Sequence, residues 1–315
     1  MGEFTFIATW VVQDLLVFIA AIITIFFIIR KEVHPESILL EMLCFCFLYA
    51  AVYENFATLM GWYGYGRTLL MAGNVPLSVP VVEYLVVYAT LRMLAVMKTP
   101  TWCKPFIVGF MGMIFDFSLD PLATKLVYAV KEGTIGRWTW FPAPADAQIF
   151  GEPVYNFTGW VMICGYAAAA LLLGRWWHKK TGYKRSVGYL YPILTMLLSL
   201  GVLIAPQTRF FLWLEPIFQK GSVGEWIMLA VWLAIPIILL CAVWRGKMRE
   251  GMPLKENAVV YLILVGLPLV NLVFTLIHGV FQVLWLEAIF AAAQIALVLS
   301  VYLLGKRRNT VRAKA

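Results

Sequence analysis

AVVYLILVGLPLVNLVFTLIHGVFQVLWLEAIFAAAQIALVLSVYLL, residues 258–304, carries Glu287 as its single acid and no lysine or arginine. His278 and Gly279 divide it into two apolar runs. A helix of about 20 apolar residues, rising about 1.5 Å per residue, crosses the roughly 30 Å hydrocarbon layer of a bilayer. The stretch therefore predicts two membrane-crossing helices, near 257–277 and 280–304, folded back on each other as a tight hairpin. The same reading carried toward the N-terminus predicts seven more spans, near 5–29, 38–61, 76–97, 105–128, 155–175, 186–205 and 223–244. The fold class is all-α, a polytopic transmembrane helical bundle of eight to nine spans, with residues 1–315 forming one integral membrane domain.

Composition agrees. Apolar residues make up 62% of the chain and charged residues 13%, where soluble domains hold about half and a quarter. Lys and Arg near span ends remain on the cytoplasmic side of a membrane. An external N-terminus and a cytoplasmic C-terminus place most of the 25 cations inside, leaving Arg67, Lys125, Lys131, Arg137, Arg209 and Lys220 outside. The net charge of +8 is then an orientation signal, and no basic soluble face exists for a nucleic acid. The first span has Glu3 before it and Arg30-Lys31 after it, the reverse of a secretory signal, so it is expected to be retained. Five cysteines without a CxxC pair read as small apolar packing residues. A long external loop, about 129–154, is rich in aromatic residues, and RFFLWLEPIFQK, 209–220, reads as an interfacial segment.

Acids inside spans cost about 2.5–3.5 kcal/mol each on insertion scales and need a reason. Asp14, Glu41, Glu54, Glu83, Asp116, Asp120 and Glu287 are such residues, with no mid-span Lys or Arg to match. With the orientation above, all but Glu41 fall in the external half of the bilayer. FDFSLDP, 115–121, holds two of them four residues apart, which on a helix stacks them on one face. Three readings are open: two carboxyls that share one negative charge and so retain a proton, a pair bridged by a divalent cation, or Asp120 as a turn residue before Pro121. Glu54-Asn55 runs into GWYGYG, 61–66, where Tyr63 and Tyr65 offer hydroxyl donors. GRWTW, 136–140, and IFGEPVYNFTGW, 149–160, add Trp138, Trp140, Asn156 and Trp160, whose aromatic faces suit a cation without hydrogen-bond donors.

Taken together, DFSLDP, GRWTW, FGEPVYNFTGW and the Glu54-Asn55 span resemble the integral-membrane carotenoid biosynthesis family over about residues 50–165. Its characterised members are hydratases of acyclic carotenoid ends. The resemblance implies a cofactor-independent hydratase in a prokaryotic cytoplasmic membrane, which protonates a terminal alkene to a tertiary carbocation that water captures. Its partners would be a carotenoid or other polyisoprenoid lipid and the surrounding membrane lipids, and no metal is assigned. Asp116, Asp120 and Glu54 would be catalytic. Asn55, Glu83, Tyr63, Tyr65, Trp138, Trp140, Asn156 and Trp160 would bind substrate or water. Two other classes share features with the sequence: a membrane prenyltransferase acting on magnesium diphosphate substrates, and a proton- or cation-coupled transporter.

Overall fold

The computed structural model describes residues 7–97, 99–130, 133–144, 146–214, 223–244 and 252–312. Among them nine helices are long and apolar enough to cross a membrane. They are α1 (Ala8–Lys31), α2 (Pro35–Leu59), α3 (Ser78–Val96), α4 (Thr101–Lys125), α5 (Val154–Lys180), α6 (Arg185–Leu214), α7 (Val223–Trp244), α8 (Ala258–Ile277) and α9 (Phe281–Arg312). RFFLWL, 209–214, is helical and continues α6 past the apolar span that ends at Ile204, and the rest of that stretch lies outside the described residues.

α3 and α4 are almost wholly buried and form the centre of the bundle. α1 shows the pattern expected of an outer membrane helix. Trp10, Asp14, Ala20, Ala21, Thr24 and Ile28 face inward, and Leu15, Ile19, Ile22 and Phe26 are exposed, the apolar stripe a lipid-facing surface requires. Without a hydrophobic drive between helices in lipid, close packing depends on small residues. α4 meets α5 that way: a Cβ at Gly112 would lie 2.7 Å from Cys164 Sγ, and one at Gly109 would collide with the Val161 carbonyl. Four of the five cysteines are buried in packing roles, while Cys241 is exposed on α7.

Two helices are locally widened. A π segment, Phe45–Ala50, interrupts α2, and another, Leu262–Gly266, interrupts α8. Each lies one or two turns before a buried polar residue, Glu54 and Asn271, and π segments re-aim the residues that follow them.

One end of the bundle carries eight short strands in antiparallel pairs: β1 (Tyr63–Tyr65) with β6 (Trp138–Trp140), β2 (Met71–Ala72) with β3 (Val75–Pro76), β4 (Val127–Val130) with β5 (Gly133–Gly136), and β7 (Gln148–Ile149) with β8 (Glu152–Pro153). The described residues of the loop expected at 129–154 thus form a cap of paired strands that begins at Val127. Its anchor is Arg137, which the orientation argument put on the external side without a partner. Instead it is buried, and its guanidinium donates to Asp14 Oδ1 at 2.5 Å, Gln13 Oε1 at 2.7 Å and the Trp10 carbonyl at 3.1 Å. Ser78 Oγ also donates to Asp14 Oδ1, at 2.6 Å. Asp14 is therefore a structural ion-pair partner and not one of a set of unmatched acids. Glu41 is matched as well, by Arg175 at 2.8 and 2.5 Å and Tyr191 at 2.6 Å. Sequence depth missed both pairs because long side chains carry their charge well away from their Cα.

Candidate active site

α4 does not run straight through FDFSLDP. It breaks after Phe117 and restarts at Asp120. Pro121 has no N–H to continue the ladder and its ring crowds the preceding turn. The turn is closed locally by Leu119 N–H to the Asp116 carbonyl, 2.9 Å, and the freed Ser118 carbonyl accepts from Asn271 Nδ2 of α8, 2.5 Å. In lipid such a freed carbonyl needs a partner, and Asn271 supplies it.

The break corrects the expected one-face stacking of Asp116 and Asp120, yet keeps them together. Asn156, in the first turns of α5, donates from its amide nitrogen to Asp116 Oδ2 at 3.0 Å and Asp120 Oδ2 at 3.1 Å. Both carboxyls are buried. Phe117, between them in sequence, stacks on Phe157 of α5 and Phe290 of α9, with centroids 3.8 and 4.1 Å apart. Three helices are thereby locked at the level of the pair.

Glu54 leaves α2 toward the cap. Tyr63 and Tyr65 donate their hydroxyls to the same oxygen, Glu54 Oε2, at 2.7 and 2.5 Å. Strand geometry explains why: residues two apart on β1 point the same way, and the β1–β6 register sets Tyr63 opposite Trp140 and Tyr65 opposite Trp138. Tyr63 and Trp140 lie 4.5 Å apart, Tyr65 and Trp138 5.9 Å, edge to face. Two motifs some seventy residues apart in sequence thus form one aromatic roof. Burial, then the neighbouring Glu54, push both phenols well above the usual tyrosine range, so they act as donors.

Glu83 of α3 is fully buried within electrostatic reach of Glu54, Asp116 and Asp120. Neither of its oxygens has a hydrogen-bond partner, nor do Asp116 Oδ1, the Tyr53 hydroxyl or the indole nitrogens of Trp138 and Trp140. Trp138 stands beside Asp120, and Trp160 lies one turn along α5 from Asn156, close to Gly112. Asn55, by contrast, is turned away. Its amide donates to the Ala51 and Ala72 carbonyls and its oxygen accepts from Asn74 N–H, so it anchors the β2–β3 hairpin. Glu287 accepts from Thr275 at 2.5 Å and reaches the cluster only through Glu152 of the cap.

One residue escaped the sequence reading. Glu152 of β8 is fully buried with both oxygens unpartnered. Burial, and then Asp120 nearby, push it well above the usual carboxylate range. Its place inside FGEPVYNFTGW was visible, but an acid beside Gly151 and Pro153 in a loop reads as solvated. Glu54, Glu83, Asp116, Asp120 and Glu152 thus converge with few cations near them. Burial also lowers Arg137, against the opposing pull of Asp14. Among the described residues no group of three or more His, Cys, Asp or Glu is arranged to hold a metal ion.

The family model described as "Carotenoid biosynthesis protein" matches residues 12–218, a wider extent than the motifs alone cover. No curated protein and no solved structure matches the chain. With most of its length, from α1 through the paired Asp116 and Asp120 to α6, inside the matched region, the chain belongs to the carotenoid biosynthesis protein family.

Proposed function

We propose that the protein hydrates the terminal double bond of an acyclic carotenoid end group. The observation that carries this reading is the shared Asn156 amide between Asp116 and Asp120 in a buried setting. An isolated trisubstituted alkene is protonated only by a strong, desolvated acid. Two carboxyls bridged by one amide, in low dielectric, share a single negative charge and keep one proton for donation.

The proton passes from the Asp116–Asp120 pair to the less substituted alkene carbon, leaving a tertiary cation. Trp138, Trp140 and Trp160 face that cation with ring electrons and no basic atom. Water adds to the cation, and its surplus proton goes to Glu54, whose orientation the two tyrosine hydroxyls hold. Glu83, between Glu54 and the aspartates, returns the proton to the pair, so the cycle consumes water alone. In the proposed orientation the cap and the acids sit on the external side of a prokaryotic cytoplasmic membrane.

The test is expression in a strain that accumulates lycopene, with pigments analysed by mass spectrometry. The expected product is heavier by one water per reacted end. Asp116→Asn and Asp120→Asn are expected to lower its yield at least about a hundredfold, the typical scale of general-acid catalysis, while still purifying as monodisperse protein. Full product from either variant overturns the donor assignment, and unchanged lycopene with wild-type protein overturns hydration of this substrate.

A further inference from the structure

A small cleft, open on one side, lies against the acid cluster without containing any of its carboxyls. Its walls come from four helices and the cap: Leu16 of α1, Val82 of α3, Phe115 of α4, Trp138 of β6, and Val270 and Phe274 of α8. Val82 precedes Glu83 and Phe115 precedes Asp116, so the cleft runs at the depth of the acids. Trp138 is the partition, one side lining the cleft and the indole standing beside Asp120.

The mouth is framed. α1 packs on α8 near Ala258–Tyr261, and at the other end Thr9 Oγ1 meets His278 Nε2 at 3.4 Å. Between those two contacts Leu16, Val270 and Phe274 are only half-buried, on a helix face otherwise exposed and apolar. The inner end differs, lined by Asn271, whose Oδ1 has no hydrogen-bond partner. Such an end suits water or a hydroxyl, and the walls suit hydrocarbon.

We infer that this window between α1 and α8 is where the apolar isoprenoid substrate enters from the bilayer, its chain held against the window's apolar walls. Its end group passes Trp138 to reach Asp116 and Asp120. The inference rests on the hydratase reading for the fate of the end group, but the chain-binding cleft is testable without turnover. It also assigns a role to α8, which lies beyond the matched family region.

The experiment reads pigment retained per protein, by absorbance, after purification from the lycopene-accumulating strain, in an Asp116→Asn background that stops turnover. Val270→Trp and Leu16→Trp plug the window from opposite walls. Leu276→Trp, on an exposed face of α8 away from the cleft, is the control. The expected result is at least a fivefold loss of pigment in each plugged variant and none in the control. Full pigment in either plugged variant that elutes as monodisperse protein overturns the inference, as does a background protein that retains no pigment. Window-dependent pigment binding together with unchanged pigment mass in the wild type leaves the window standing and removes the hydratase reading.

Discussion

Glu54 receives two phenol hydrogen bonds on one oxygen, which fixes the carboxyl more tightly than either bond alone. Hydrogen bonds to charged groups contribute about 1.5–3 kcal/mol. Tyr65→Phe alone is therefore expected to lower the rate of the proposed hydration about tenfold, and Tyr63→Phe with Tyr65→Phe by more than the product of the single effects. Rates measured in a four-way cycle check this, and independent effects would argue against a shared positioning role. Glu152 answers to pH. Its carboxyl is raised in the folded state, so the stability it contributes is present below the ordinary carboxyl range and is lost as pH rises through the raised value. Melting curves of the wild type and Glu152→Gln, from about pH 4 to about pH 9, that is from the usual carboxyl range upward, are expected to diverge, the wild type losing ground toward alkaline pH. Parallel curves would mean that Glu152 carries its charge in the fold.

At the scale of elements, the α4–α5 crossing decides whether the acid pair exists at all. Asp116 and Asp120 come from α4 and the bridging Asn156 from α5, and Gly109 and Gly112 set how closely the two helices approach. Gly112→Val places two methyl groups where Cys164 sits. Overpacking of this kind costs about 1–3 kcal/mol, and it is expected to lower activity along with melting temperature by separating Asn156 from the aspartates. Gly112→Val combined with Cys164→Ala, which opens the facing space, is expected to recover part of both. Failure of that rescue would show that the crossing tolerates a wider gap than the contacts indicate.

For the whole molecule, the joint that matters is the one between cap and bundle. Arg137 threads into α1 and α3, and its neighbour Trp138 roofs the acids, so one buried ion pair registers the entire cap. Breaking such a pair costs about 3–5 kcal/mol, mostly because the remaining charge stays buried without compensation. Arg137→Met is expected to fall in that range and to abolish activity by releasing the roof. Asp14→Asn together with Arg137→Met is expected to regain much of the stability, read from thermal melts, but not the activity. A double variant as unstable as the single one would contradict the account of an orphaned charge.

How much of this was written in the chain follows from the range of the forces involved. Span count rests on local composition, since a bilayer tests each run of about 20 residues by itself, and all nine helices were legible. The acids of the site were legible for the same reason, because a carboxyl inside an apolar run stands out wherever it lies. The family likeness rested on short blocks that sequence also carries. Distance hid the rest. The Tyr63–Trp140 and Tyr65–Trp138 register, the Arg137–Asp14 pair and the Glu41–Arg175 pair join residues far apart in the chain, and no local pattern encodes who meets whom. Glu152 was hidden because a loop acid is solvated unless a fold closes over it. Asp116 and Asp120 show the division most clearly: the sequence determined that two acids sit in a membrane helix, whereas the break at Pro121, propped by Asn271 and bridged by Asn156, decided that they meet on one amide.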